Sequence, residues 1–221
     1  MRHLEVGMAM APMAGQFNMA DKHVVLTRED CMLVAVIDGV GHGKFAEFAA
    51  VEATRTLRDA PASSLESLMA LCHDRLRTTR GVVMSLACLD PNRGLLTWLG
   101  VGNVAGVLFR HRNGNGASHH PSGGNGNRVG AVPKTPQGPH DEYLVLRSGV
   151  VGDRLPTLHS NQLPLHRGDT LVLATDGVAS DFDQEHDFHD SPQNLAERFL
   201  KKYAKGNDDA LVLVISYQGG A

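Results

Sequence analysis

The chain has 221 residues and a formal net charge of -3, with 42% hydrophobic and 20% charged residues. That balance fits a single domain over 1–221 with a sizeable core and excludes a basic nucleic-acid surface. No apolar stretch approaches the roughly 20 residues of a membrane span, and Met1–Val6 lacks the apolar region of a signal peptide, so the expected setting is cytoplasmic.

In chain order, Glu5–Met13 reads as an opening strand. Val24–Leu26 and Met32–Ile37 follow as a hairpin around Thr27–Asp30. The Gly-rich turn Gly39–Gly43 leads into a helix whose buried stripe is predicted at Phe45, Phe48, Ala49, Ala53 and Leu57. A second helix is predicted to start at Ser63 with Glu66 completing a capping box. Its apolar stripe is Leu65, Leu68, Met69, Cys72 and Leu76. Strands are predicted at Val82–Leu89, Leu95–Val101, Val104–Phe109, Tyr143–Leu146 and Thr170–Ala174. Arg110–Arg128, rich in Gly, Asn, Ser and His, reads as a flexible surface loop. Ser191-Pro192 announces a third helix, and Ala210–Ser216 is the last strand. Strict alternation of strand and helix is absent. The pattern favours an α+β fold of mostly antiparallel sheets with helices outside.

Cys31, Cys72 and Cys88 are odd in number and form no CxxC pair. Neither a disulfide framework nor a zinc site is expected, and a reducing compartment fits.

The carboxylates carry the chemistry. Leu33–Ile37 runs into Asp38-Gly39, and Leu171–Thr175 into Asp176-Gly177. Asp208-Asp209 stands directly before Ala210–Ile215. Each Asp-Gly alone reads as turn chemistry. Asp208 or Asp209 alone reads as a strand-start cap, and Asp21 as a loop residue. Several carboxylates at the mouths of buried strands need a shared partner, and a hard divalent cation with oxygen ligands is the natural one.

Met19-x-Asp21-x-His23, Asp38-Gly39 before a Gly-rich turn, Leu173-Ala-Thr-Asp176-Gly-Val178 and Asp208-Asp209-Ala-Leu-Val212 together resemble the metal-dependent serine/threonine protein phosphatases (PPM family), in their bacterial SpoIIE-like branch. Within that branch, Ile37–Gly43, Gly102-Asn103 and Val151-Gly152-x-x-Leu155-Pro156 are most similar to the small single-domain stressosome phosphatases. The resemblance implies an αββα sandwich of two antiparallel sheets flanked by helices. It implies two Mn²⁺ or Mg²⁺ ions at one edge. Asp38 would bridge them, the Gly39 carbonyl would bind one, and Asp176 and Asp208 would complete the set, with Asp209 ranked below Asp208. Asp21 would orient the attacking water. The substrates implied are phosphorylated STAS-domain regulatory proteins of the stressosome or anti-sigma-antagonist kind.

Departures from the family pattern stand beside it. Ala20 replaces a metal-binding Glu, Gln16 a phosphate-binding Arg and Val40 a His, and Asn103 replaces an Asp tied to a third metal. They leave the ligand count and the general acid open. His42 is an equal candidate for proton donor or phosphate contact and for a plain turn histidine. Asp183–Asp190, with its acidic and histidine side chains, reads as a solvated loop rather than a metal site, and His119-His120 as exposed. Two rivals remain: the same fold as a catalytically dead adaptor for phosphorylated partners, and a nucleotide binder built on Gly39-x-Gly41-x-Gly43.

Overall fold

The computed structural model describes residues 3–15, 18–28, 31–111 and 140–219. Gln16 and His119-His120, named above, lie outside the described residues, as does most of the predicted loop. In chain order the strands are β1 (Leu4–Ala11), β2 (Asp21–Thr27), β3 (Met32–Gly39), β4 (Val82–Asp90), β5 (Leu95–Val101), β6 (Ala105–Phe109), β7 (Glu142–Tyr143), β8 (Leu146–Arg147), β9 (Asn161–Pro164), β10 (Thr170–Ala174) and β11 (Ala210–Tyr217). The helices are α1 (Lys44–Asp59), α2 (Leu65–Leu76) and α3 (Pro192–Tyr203).

One sheet runs β1-β11-β10-β6-β7 and the other β2-β3-β4-β5-β8, with β9 added against β5. Every pairing is antiparallel except β5 with β8. The alternation of side chains along each central strand builds three apolar layers. On β3, Leu33, Ala35 and Ile37 face α1 and α2, while Val34 and Val36 face the opposite sheet. On β11, Leu211, Leu213 and Ile215 enter the layer between the sheets, while Val212 and Val214 meet α3 through Leu195 and Phe199. Strands buried on both faces read as continuous apolar runs, which is why these were conspicuous in the sequence. The result is the expected αββα sandwich.

Several local expectations are corrected. α1 lies on its sheet through Ala46, Ala49, Ala50, Ala53 and Leu57, whereas Phe45 and Phe48 are 59% and 54% exposed. The small alanine face brings the helix backbone close to β3, and the phenylalanines, one residue off that stripe, turn outward. The cap of α2 is Ser64, not Ser63; its Oγ accepts from the Ser67 N–H, while Glu66 accepts from the Ser160 N–H instead of closing a box. The predicted strand Tyr143–Leu146 splits. β7 joins one sheet and β8 the other, and buried Leu144 spans the crossing. Arg110, assigned to the loop, is buried in an ion pair with Asp169.

The cysteine reading is corrected too. Cys31 and Cys88 form a disulfide with Cα atoms 5.9 Å apart, and Cys72 is the free, buried thiol among the described residues. Adjacent antiparallel strands β3 and β4 bring the two together, a proximity that separation along the chain hides. The bridge removes the cysteine argument for a reducing compartment. No helix among the described residues is long and apolar enough to cross a membrane.

Candidate metal centre

The two Asp-Gly pairs lie at one edge of the sandwich, on opposite sheets. Asp38 is the penultimate residue of β3, and Asp176 follows the end of β10. Asp208 enters the same edge just before β11. A cleft of about 540 Å³ is lined there by Asp38, Asp176, Asp208, Asn103, His42 and Val40, among others. Three of the sequence-selected carboxylates therefore share one opening, although they are far apart along the chain.

Gly177 sits in the Thr175–Val178 turn, closed by the Val178 N–H to the Thr175 carbonyl at 3.0 Å, yet close backbone approach demands both glycines. Gly39 ends a strand, and a β-carbon on it would come within 2.2 Å of the Ala46 carbonyl oxygen on α1. A β-carbon on Gly177 would come within 1.8 Å of the Asp209 carbonyl oxygen. Each glycine lets a neighbouring backbone press against the strand end that carries the aspartate. Gly39 also donates its N–H to the Ala20 carbonyl at 3.3 Å.

Asp21 is not a loop residue but the first residue of β2, directly opposite Asp38 in the ladder. It is 2% exposed and does not line the cleft. Its Oδ2 accepts from Thr175 Oγ1 at 2.7 Å, and Thr175 Oγ1 accepts in turn from the Leu211 N–H at 2.9 Å. The Asp21 carboxylate is thus held beneath the cleft.

Asp209 faces away from the opening. Its Oδ1 accepts from the Met13 N–H at 2.8 Å and its Oδ2 from the Ala20 N–H at 2.7 Å. It ties down the connection between β1 and β2. Ala20 is 4% exposed and joined by its backbone to both Asp209 and Gly39.

Two partners of Asp176 complete the edge. Asn103 Nδ2 donates to Asp176 Oδ2 at 2.8 Å, and Lys205 Nζ donates to the Asp176 backbone carbonyl at 2.6 Å. Thr175 and Lys205 were missed by the sequence reading. Thr175 was hidden inside an apolar run, and Lys205 lies in a polar segment without pattern.

Electrostatics set this edge apart. Burial, reinforced by Asp21, Asp176, Asp208 and Asp209, pushes the Asp38 carboxyl up to about 8. Burial also pushes Asp21 up to about 7; the Thr175 hydrogen bond opposes this, and Asp209, Asp176 and Asp208 add to it. Asp176 is raised by burial and by Asp208, against Lys205 and Asn103. The donors are all oxygen and the clustered charge is uncompensated, which is the chemistry that Mg²⁺ or Mn²⁺ requires. The fit is one of donor chemistry, not of a closed cage. Among the described residues, no group of three or more His, Cys, Asp or Glu side chains is gathered tightly enough to hold an ion.

The acidic and histidine segment Asp183–Asp190 is tied to α3. Arg198 pairs with Asp187 and Asp190, and Lys202 with Glu185. It takes no part in the cleft.

The chain matches the family described as Stage II sporulation protein E (SpoIIE) over residues 28–218. No curated protein matches it in a sequence search. Among solved structures, a chain described under the bacterial stressosome, a modular system adapted to control secondary messenger signalling, is 24% identical with a TM-score of 0.78, covering 96% of this chain and 98% of that one. RsbX in complex with magnesium is 18% identical with a TM-score of 0.77, covering 98% of this chain and 96% of that one. The PPM Ser-Thr phosphatase MsPP from Mycobacterium smegmatis, in complex with cacodylate, is 17% identical with a TM-score of 0.60, covering 97% and 99%. At these identities the structural likenesses speak for the fold, and the sequence match speaks for the family. The chain belongs to the SpoIIE family, and it shares its fold with a PPM Ser-Thr phosphatase.

Proposed function

We propose that the cleft removes phosphate from phosphoserine or phosphothreonine on regulatory partner proteins, with two Mn²⁺ or Mg²⁺ ions held by Asp38, the Gly39 carbonyl, Asp176 and Asp208. The observation that carries this reading is the convergence of Asp38, Asp176 and Asp208 on one cleft, with buried Asp21 behind them. Bound divalent cations supply a nucleophile at neutral pH and neutralise phosphoryl charge. The chain's own residues do the rest. Asp21, fixed by Thr175, adds a carboxylate beside Asp38 that can give up its proton as a cation binds. Asn103 orients Asp176 through the Oδ2 hydrogen bond. His42, exposed on the cleft wall, is in place to contact the phosphoryl group or donate a proton to the leaving serine or threonine oxygen.

STAS-domain proteins are the proposed partners and the cytoplasm the proposed setting. RsbX and the stressosome chain among the structural relatives support the partner class. The test is Mn²⁺-dependent phosphate release from p-nitrophenyl phosphate and from a serine-phosphorylated STAS-domain protein. Asp38→Ala is expected to abolish release and leave the circular dichroism spectrum unchanged. Full activity in that variant contradicts the mechanism.

A second reading, a non-catalytic adaptor for phosphorylated partners, draws on Ala20 in place of a ligand and on the open ligand set. It predicts phosphoprotein binding without chelator-sensitive turnover, which the same assay separates.

A further inference from the structure

The face of α1 next to the cleft carries a group of exposed apolar side chains. Phe45, Phe48 and Val51 are 59%, 54% and 43% exposed, and Val40 on the adjoining turn is 36% exposed. Single exposed apolar residues are ordinary, but a contiguous group of large ones marks an interaction site. Phe45 and Phe48 border a groove of about 750 Å³ whose other walls are Lys44, Thr78, Thr79 and Arg80.

We infer that this groove is the docking surface for the phosphoprotein substrate, and that its occupant is a segment of the partner presenting an apolar side chain and acidic groups near the phosphorylated residue. The inference rests on the phosphatase reading above. Two features select this occupant.

The first is charge. Lys44 Nζ lies 5.3 Å and Arg80 Cζ 5.5 Å from the centre of the Phe45 ring. Neither forms an ion pair among the described residues, whereas Lys22, close by, is paired with Glu47. In a chain of net charge -3, two unpaired cations beside exposed rings complement an acidic, apolar partner. They oppose a second copy of this chain, since a two-fold contact would bring like charges face to face.

The second feature is continuity with the cleft. The Arg80 guanidinium sits against Gly41, with Nη1 3.0 Å from where a β-carbon on that residue would stand. Val40, Gly41 and His42 line the cleft. A phosphorylated side chain reaching Asp38 and Asp176 therefore enters beside Arg80, and the chain flanking it crosses Phe45 and Phe48. The carboxylates supply chemistry common to any phosphate ester, and this groove supplies recognition of a protein.

The test compares two substrates, p-nitrophenyl phosphate and a serine-phosphorylated STAS-domain protein, both with Mn²⁺. The double variant Phe45→Ser, Phe48→Ser removes exposed apolar surface and the ring beneath Lys44 and Arg80 but no core packing, so folding is expected to hold, as a thermal melt checks. It is expected to keep p-nitrophenyl phosphate turnover within about twofold while kcat/KM for the phosphoprotein falls at least about tenfold, mainly through KM. Lys44→Glu is expected to weaken the phosphoprotein reaction alone, with a flatter salt dependence than the parent. Equal losses on both substrates, or none on the phosphoprotein, overturn the docking surface. So does loss of a dimer in sedimentation with phosphoprotein kinetics unchanged, which makes a second copy the occupant. A wild-type chain that hydrolyses p-nitrophenyl phosphate but not the phosphoprotein also overturns it. A wild-type chain inactive on both substrates overturns the phosphatase reading itself and takes the docking surface with it.

Discussion

The antiparallel ladder between β6 and β10 carries a carboxylate near each end, buried at Asp169 and exposed at Asp176, and the two ends are opposites. At one end Asp169 accepts from Arg110 Nη1 at 2.8 Å, from the His166 N–H at 2.8 Å and from the His111 N–H at 3.2 Å. Charge and hydrogen bonds are both satisfied. At the other end Asp176 receives Asn103 and a through-space contribution from Lys205, yet faces Asp208, Asp38 and Asp21. Burying a charge is costly unless it is paired. The sandwich meets that demand internally at the Asp169 end, whereas at the open Asp176 end burial, reinforced by Asp21, Asp176 and Asp208, pushes the carboxyl of half-buried Asp38 up. A structural carboxylate brings its own cation, while a functional one is left for a cation from solution.

The largest expected effects fall on opposite properties at the two ends. Asp176→Ala is expected to lower Mn²⁺-dependent phosphate release at least about a thousandfold, with little change in denaturant midpoint. Asp169→Ala leaves buried Arg110 with only the longer ion pair to Glu142 at 3.7 Å and is expected to cost about 3 kcal/mol of stability in urea unfolding. The surviving folded protein is expected to keep its activity. If both variants lose activity in proportion to stability, the contrast between the ends is wrong.

The pH dependence has a definite sign. Asp38 is raised from 3.8 to about 8 and Asp21 to about 7 in the folded chain. Below pH 4 the folded and unfolded states both hold these protons. Between about 4 and 8 only the folded state holds them, so each rise in pH favours unfolding. The metal-free protein is therefore expected to melt lower at pH 8 than at pH 5.5, and saturating Mg²⁺ to restore the loss at pH 8. Asp38→Asn is expected to flatten this pH dependence and raise the metal-free melting temperature at pH 8.

Thr175→Val is a smaller perturbation. It removes the donor to Asp21 Oδ2 and leaves the Leu211 N–H without an acceptor, costing about 1–3 kcal/mol. Activity is expected to fall modestly, because Asp21 lies beneath the cleft. Asn103→Asp is expected to do least to the fold while tightening Mn²⁺ binding, since it exchanges a donor for one more carboxylate at the open end. Calorimetry with the metal distinguishes this from a purely structural change.

The sequence displayed Asp38, Asp176 and Asp208 because each lies at the end of a strand buried on both faces, and such strands are uninterrupted apolar runs. The αββα arrangement came from resemblance; strand and helix order alone gave antiparallel sheets with helices outside. What stayed hidden depended on partners distant in sequence. Asp21 was named only through the family motif, and its place beside Asp38 comes from the β2–β3 register alone. Thr175 looked like part of an apolar strand, though its hydroxyl joins Asp21 to β11. Cys31 and Cys88 meet only through the β3–β4 ladder. Phe45 and Phe48 were misassigned because a pattern that counts large apolar residues overlooks a buried face made of alanines. The strands β7 and β8, two residues each, are too short to leave a period.

Manganese binding by the folded chain, followed by isothermal calorimetry at pH 7.5, tests the central claim most directly. The account expects saturable binding with release of protons, lost in Asp38→Ala and in Asp176→Ala and retained in Phe45→Ser. Binding of equal strength in all of these variants, or none in the parent chain, would contradict it.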